Sequence, residues 1–243
     1  MAILGSRRSV NLTYSMRWFC YVLVCAFMLM STALFATQSF SIDYSTFSEW
    51  ERKSFKGHTA YALFQQEAAS GIPYYLLNAK SEKSASAVMM EQDIDIGVMP
   101  WMSWHWKVAQ FPQVGNEKSK QGDDFAIRIS VVIQPGFTVM SSQTIVYVWS
   151  QQSPVGASWP NPYSPDHFMM LAASSGTERD TWQFAQRNVQ EDFARIYGET
   201  YNTVNAVAIM SDSDNSLSQT RATLSPIVFT TKRQEKPESE DMP

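Results

Sequence analysis

Alternation of apolar and polar residues, with a period of two, constrains the fold of this chain more than any other feature. The alternation is clear over residues 59–64, 101–108 and 144–150, and turn-forming residues separate the runs. Successive side chains of a strand point to opposite faces, so such runs predict strands with one buried face. Weaker runs predict further strands over residues 74–79, 84–90, 125–133, 168–173, 182–187, 204–210 and 221–229.

One segment has the pattern of a helix instead. Asn188 is a good N-cap, Glu191 follows three residues later, and Gly198 comes after the last turn. These are the usual start and stop signals of a short helix, here near residues 189–197. Many strands with one late helix predict an all-β (mostly β) fold, a jelly-roll-like β-sandwich with one short helix.

The N-terminal segment has the composition of a targeting signal. Three arginines precede an apolar run over residues 18–30, and Ser31 and Ala33 supply the small residues of a cleavage site. Residues 1–37 are therefore predicted to be a secretory signal peptide or, if uncleaved, an N-terminal anchor in the inner membrane. We expect a periplasmic or otherwise exported protein, which contacts a membrane only through this segment and only if the segment is retained.

The rest of the chain is predicted to be an acidic globular domain. A single β-sandwich over residues 38–231 is expected, followed by a disordered charged tail over residues 232–243. Removal of the three N-terminal arginines lowers the net charge from −4 to −7. An acidic domain without a basic stripe binds nucleic acid poorly, so no nucleic-acid partner is expected.

Cysteine and histidine are scarce. Cys20 and Cys25 both lie in the N-terminal segment, so the predicted domain has no disulfide, cysteine-ligated zinc or thiol nucleophile. His58, His105 and His167 are not spaced like a metal-binding motif. These residue types predict no cofactor.

The main candidate site lies in the middle of the chain, over residues 122–129. It places Asp123, Asp124 and Arg128 at the mouth of an apolar run. Strand spacing would set Asp124 and Arg128 on the same face, roughly 13 Å apart. A ligand could bridge the two residues, or Arg128 could bind an acid of a neighbouring strand in a structural salt-bridge network.

Aromatic residues before and after this stretch predict a ligand groove. Trp101 and His105 share the face of their strand that points away from the predicted core, and Trp149 ends another strand. Trp159 and Tyr163 lie in a long loop rich in Pro, Ser and Gly. Loops carried by a sheet often hold sites, and aromatic faces stack on sugar rings. The alternative for the Trp101 face is an ordinary solvated surface.

A cluster of oxygen-bearing residues follows the strand at 204–210. Asp212, Asp214 and Asn215 stand at positions that resemble part of a calcium loop, although the EF-hand pattern is incomplete and such clusters are common in turns. Calcium is thus the one metal ion for which the sequence offers candidate ligands. The same acids permit a glycan-cleaving alternative, in which Asp124 pairs with Asp212 or Asp214 as acid and base or nucleophile.

Seven short motifs follow one another in a single order across roughly residues 50–229. They are Phe55-x-Gly57-x-Thr59-x-Tyr61, Ser84-Ala-Ser86, Pro100 with Trp104-x-Trp106, Gly122-Asp-Asp-Phe-Ala-x-Arg128, Tyr147-x-Trp149-Ser150, Arg187-Asn-Val with Asp192, and Met210-x-Asp-x-Asp-Asn215. In these motifs the chain resembles a bacterial family of domains of unknown function, number 3047. The resemblance implies an exported, mostly β protein of unknown activity. His105 and Pro226 depart from the family's pattern.

The sequence favours a binding module for a glycan or another polar cell-envelope ligand. The predicted ligand-binding residues are Asp123, Asp124, Arg128, Trp101, His105, Trp149, Trp159 and Arg187. The alternatives are a glycan-cleaving enzyme that uses paired carboxylates and a non-catalytic structural or interaction protein. Two acids facing each other in an open cleft would favour the enzyme. A tryptophan-lined groove without paired acids would favour binding, and Arg128 buried between aspartates would favour a structural network.

Overall fold

The computed structural model describes residues 37–68, 70–136 and 141–236. Residues 1–36 of the predicted signal or anchor segment and residues 237–243 of the predicted tail lie outside the described residues. The strands are β1 (Ser39–Ile42), β2 (Glu51–Lys56), β3 (Ala60–Glu67), β4 (Pro73–Glu82), β5 (Ala85–Asp95), β6 (Trp101–Gln110), β7 (Arg128–Ile133), β8 (Gln143–Ser150), β9 (Ser158–Pro160), β10 (Phe168–Ser175), β11 (Gln183–Asn188), β12 (Thr203–Asp212), β13 (Gln219–Leu224) and β14 (Ile227–Thr230).

Helical structure is sparse. Two 3₁₀ turns, Phe47–Glu49 and Lys120–Gly122, accompany the α-helix α1 (Val189–Tyr197). With nine residues, α1 falls well short of the roughly 20 that a membrane-spanning helix requires, and no other helix of the described ranges is long and apolar enough. The helix is where the capping signals predicted it, because Asn188 accepts a hydrogen bond from the Glu191 N–H and Gly198 takes the left-handed conformation.

The strands form two seven-stranded sheets with a common core between them. The first sheet has the order β1-β14-β6-β13-β4-β3, with β13 and β14 on successive parts of one edge of β6 and β11 on its other edge. The second has the order β2-β5-β12-β7-β8-β10-β9, in which β8 and β10 are parallel. The predicted jelly-roll-like β-sandwich with one short helix is confirmed.

The alternation in β6 decides which of its residues enter the core. Trp104 and Trp106 point inward and are fully buried, as the sequence predicts. Their ring centroids lie 5.7 Å from Tyr147 and 5.9 Å from Trp149 on β8 of the second sheet. Offset and tilted aromatic pairs at such distances stabilise packing beyond the area they bury, so these contacts hold the two sheets together.

Two predicted strands are interrupted for local reasons. The strand predicted over 125–133 begins only at Arg128, because Phe125 exchanges hydrogen bonds with Asp212 instead of a regular ladder partner. Phe125 therefore packs on the outer side of the second sheet and not beside Ile129, which corrects the predicted face. The strand predicted over 221–229 breaks at Pro226, which has no N–H to donate to a ladder.

The outer face of the second sheet carries a small apolar cluster and, beside it, a region bordered by three connecting segments. Phe125 and Trp159 cover one part of this face together with Val146, Val148 and Met170. The remaining part is bordered by the segment before β7, the loop between β9 and β10, and the turn between β12 and β13. These three segments are close in space because β12, β7 and β8 are neighbours in the sheet.

Candidate functional site

A pocket with a volume of about 360 Å³ lies on the outer face of the second sheet. Its floor is formed by outward-pointing residues of β7, β8 and β12, namely Arg128, Ser130, Val146, Met210 and Asp212. The walls come from the three bordering segments and from β2, β5 and the first residue of β10. They are formed by Phe55, Ala85, Asp123, Asn161, Tyr163, Ser164, Phe168, Asp214 and Asn215.

Arg128 is held between two aspartates. Its Nε donates to Asp212 Oδ1 at 3.2 Å, and its Nη2 contacts Asp212 Oδ2 and donates to the Asp123 carbonyl at 3.1 Å. Nη1 lies 3.5 Å from Asp123 Oδ1, and Arg128 is only 5% exposed. The fork of guanidinium donors is therefore largely used by the protein. This is the arrangement that the sequence assigns to a structural network.

Asp123 and Asp124 point to different places although they are adjacent. Asp123 lines the pocket, where its Oδ2 accepts from Asn161 Nδ2 at 3.1 Å. Asp124 accepts from the N–H groups of Asn215 and Ser216 at 3.2 and 2.6 Å, and from the Asn215 side chain. Asp124 thus fastens the turn after β12. It lies before β7 begins, so the predicted placement of Asp124 and Arg128 on one strand face is wrong.

Burial and charge shift two pKa values at the pocket. Burial raises the pKa of Asp123, while Arg128 and Asn161 act in the opposite direction. Burial also raises the pKa of Tyr163, and the negative charges of Asp123, Asp214 and Asp124 raise it further. The Tyr163 hydroxyl lies 2.6 Å from Asn215 Oδ1, so the loop before β10 is tied to the turn after β12.

The acids proposed for catalysis or metal binding do come together. Carboxylate oxygens of Asp124, Asp212 and Asp214 lie within 4.8 Å of one another, a spacing that could hold a metal ion. Asp212, however, is already paired with Arg128, and Asp124 already accepts hydrogen bonds from the turn after β12. Asn215, the third predicted ligand, turns its Oδ1 to Tyr163 instead. Asp212 takes from the Arg128 guanidinium, and Asp214 from Lys56, the positive charge that a cation would otherwise supply.

Calcium should therefore have little effect on stability. We expect that adding millimolar calcium, or removing it with a chelator, leaves the melting temperature of the protein unchanged, because Asp212 is already paired with Arg128 and Asp124 already accepts hydrogen bonds from the turn after β12. Differential scanning calorimetry in matched buffers measures this. A ligand at a hundredfold its dissociation constant adds about 2.7 kcal/mol, so a calcium-dependent rise in melting temperature would contradict the expectation and identify a metal site.

The predicted aromatic groove is not formed. Trp101 and His105 lie on the outer face of the first sheet, where Arg233 covers Trp101 at 5.6 Å and Phe184 packs on His105 at 5.1 Å. Burial lowers the pKa of His105. Trp149 lies in the core and is 2% exposed, so a ligand cannot reach its ring. The prediction fails because strand alternation does not show to which sheet a strand belongs.

Trp159 and Arg187 also lie outside the pocket. Trp159 is buried in the small outer cluster beside Phe125, with Lys118 Nζ 5.2 Å from its ring. Arg187 binds Asp192 of α1, with Nε donating to Oδ2 at 2.8 Å, and the Tyr147 hydroxyl donates to the same oxygen at 3.1 Å. Both residues make structural contacts in place of the predicted ligand contacts.

Sequence reasoning missed several residues of the pocket. Phe55 is the most exposed of them, and its signal was an apolar residue between Lys53 and Lys56 in an otherwise polar strand. Asn161 gave no distinct signal, because its position depends on how the loop before β10 folds back over the sheet. Phe168 was predicted only as part of a strand. Among the predicted residues, the pocket contains Asp123, Arg128, Asp212, Asp214, Asn215 and Tyr163.

Several solved structures are similar to this chain at low identity. A family 11 carbohydrate-binding module of a cellulosomal cellulase of Clostridium thermocellum is 9% identical, with a TM-score of 0.41 over 80% of this chain and 95% of that one. The metal-free lectin I-B4 from Griffonia simplicifolia is 10% identical, with a TM-score of 0.36 over 80% and 99%. At these identities and TM-scores, the two structures give no information about the ligand of this chain. No curated protein matches the chain in sequence.

The family comparison covers most of the domain. The sequence profile described as "Protein of unknown function (DUF3047)" matches residues 48–228. That range runs from before β2 into β14 and includes every residue that lines the pocket. The resemblance found in the seven motifs is confirmed, and the chain belongs to the DUF3047 family.

Proposed function

We propose that this protein is an exported binding module that holds a glycan in the pocket on the outer face of its second sheet. Export rests on the composition of the N-terminal segment. The predicted tryptophan groove is absent and Arg128 belongs to a structural salt-bridge network, so the binding role is carried by a different observation. It is a pair of exposed aromatic rings, Phe55 and Tyr163, which are 59% and 54% exposed and both line the pocket. Large exposed apolar side chains gathered at one concave site are typical of ligand binding.

The two rings suit the apolar faces of sugars. Phe55 comes from β2 and Tyr163 from the loop before β10, so the rings approach the pocket from different elements. Each has an ammonium group near its ring, Lys53 Nζ at 5.6 Å from Phe55 and Lys120 Nζ at 5.4 Å from Tyr163. Such cation–π contacts reduce the motion of both partners and present the rings in defined positions.

Polar groups in the pocket are already ordered. Asn161 accepts from the N–H groups of Tyr163 and Ser164 at 2.9 and 3.1 Å, and donates to Asp123. The loop that carries Tyr163 is therefore held in place before a ligand arrives, which lowers the entropic cost of binding. Asp214, whose side chain is 16% exposed, offers carboxylate oxygens to sugar hydroxyls.

The same contacts favour binding over hydrolysis. A glycosidase needs two carboxyl groups that are free to exchange protons or attack the sugar. Among the described residues of the pocket, Asp212 and Asp123 are engaged by Arg128 and Asn161, which leaves Asp214 as the freest carboxylate. Asp124 and Asp212 are close to each other but buried, which is not the open cleft that the enzyme alternative requires.

Replacing Tyr163 with alanine should weaken binding of a glycan by about tenfold or more, the effect of losing about 1.4 kcal/mol from a central aromatic contact. Phe55→Ala should act in the same direction. A glycan array with the protein expressed from Thr37 onward would identify a ligand, and calorimetric titration would then compare the variants.

Matched controls come from the first sheet. Phe64 and Tyr75 are 50% and 36% exposed and do not line the pocket, so Phe64→Ala and Tyr75→Ala should retain full affinity. An array without any bound saccharide would refute the proposal. So would equal losses in the pocket variants and in the controls.

A further inference from the structure

The buried charges of the pocket sum to a negative charge, whereas the accessible charges around it sum to a positive one. The buried charges are paired with one another, since Arg128 lies between Asp123 and Asp212 and all three are at most 5% exposed. A ligand in the pocket therefore meets the accessible charges first. Because solvent-exposed and rim charges determine steering and specificity, their sign should determine which glycans enter.

Three exposed lysines surround the pocket. Lys53 and Lys120 lie over the rings of Phe55 and Tyr163, and Lys56 Nζ lies 3.3 Å from the Asp214 carbonyl and 3.8 Å from its carboxylate. Each lysine thus contacts a residue that lines the pocket. The accessible acids are fewer, with Asp214 in the wall and the exposed Asp166 in the loop that carries Tyr163.

The accessible side chains around the pocket therefore carry one more positive than negative charge, which differs from the composition of the chain. The chain has 23 acidic and 19 basic residues, so a random patch of its surface should be negative or neutral. Neither Lys53 nor Lys120 has a carboxylate within 4.0 Å in the described part of the chain. Their ammonium groups are consequently available to an anion.

We infer that the pocket binds acidic glycans, with the sugar ring between Phe55 and Tyr163 and its carboxylate or sulfate groups turned outward to Lys53, Lys56 and Lys120. The inference rests on the proposed glycan-binding function and adds the charge of the ligand. Acidic groups are held at the rim because the floor of the pocket contains Asp123 and Asp212, which would repel them.

Matched pairs of oligosaccharides test the charge directly. An array should carry oligogalacturonates beside their methyl esters, and sulfated galactans beside unsulfated ones, so that the members of a pair differ only in charge. We expect the acidic member of a bound pair to bind about tenfold more tightly than the neutral one, because two or three charge pairs at the rim contribute to it. The difference should vanish in 0.5 M salt.

The variant Lys53→Gln/Lys120→Gln should abolish this preference, so that the ratio of the two affinities falls to about one. Loss of the two cation–π contacts affects both members of a pair alike and does not change the ratio. Lys80→Gln/Lys232→Gln is the control, because both residues are exposed, neither contacts a residue that lines the pocket, and the net charge changes equally. Equal binding of both members, tighter binding of the neutral one, or an equal loss in the control variant would overturn the inference and leave the glycan-binding proposal intact. If neither acidic nor neutral oligosaccharides bind, both this inference and the glycan-binding proposal are refuted.

Discussion

Replacing Arg128 with methionine should lower the free energy of unfolding by about 3–5 kcal/mol, the usual effect of removing one partner of a buried ion pair. Asp212 is 1% exposed and Asp123 is 3% exposed, and Arg128 is the cation that contacts both. Without the guanidinium, their charges would remain buried and uncompensated. Urea denaturation at neutral pH, with the linear extrapolation, measures the change.

A partial rescue distinguishes lost charge pairing from lost packing. The double variant Arg128→Met/Asp212→Asn removes both charges, so it should be more stable than Arg128→Met alone. The single variant should also regain stability at acid pH, because burial already raises the pKa of Asp123 and protonation removes its charge.

Arg221→Met, at an exposed position of β13, is the control and should change stability by less than about 0.5 kcal/mol. A loss below about 1 kcal/mol in Arg128→Met would contradict the structural role assigned to this ion pair.

Replacing Asp192 with alanine should cost a similar amount, about 3–5 kcal/mol. The change leaves the Arg187 guanidinium without its bidentate partner and the fully buried Tyr147 hydroxyl without an acceptor. Both groups would lose their bonds where water does not reach easily. The same denaturation experiment applies, together with near-ultraviolet circular dichroism of the tyrosine and tryptophan core.

Glu191→Ala is the matched control on the same helix turn. Glu191 is exposed, and its replacement should lower the free energy of unfolding by only a few tenths of a kcal/mol through the helix dipole.

Arg187 also has a functional test, because the sequence predicted it as a ligand-binding residue. Arg187→Gln should leave glycan affinity unchanged, and a loss of affinity without a loss of stability would restore the ligand-binding prediction.

The strands and the helix could be predicted because their signals are local. Burial of every second residue is enough to place Trp104 and Trp106 on the inner face of β6, whichever strand packs against them. The helix caps at Asn188 and Gly198 depend only on hydrogen bonds and backbone angles within a few residues. Phe125 shows the limit of this reasoning, since a hydrogen bond to Asp212, 87 residues away, interrupts its predicted strand.

The sequence by itself determined that the chain forms a mostly β sandwich and which residues share a face in most of its strands. It also singled out Asp123, Arg128, Asp212 and Asp214, all of which line the pocket. Only the tertiary structure decided which strands are neighbours. Pairing of β7 with β12 places Arg128 against Asp212, while β6 lies in the other sheet and takes Trp101 and His105 away from the pocket. The physical reason is that alternation reports burial, whereas strand order depends on long-range pairing that no local pattern encodes.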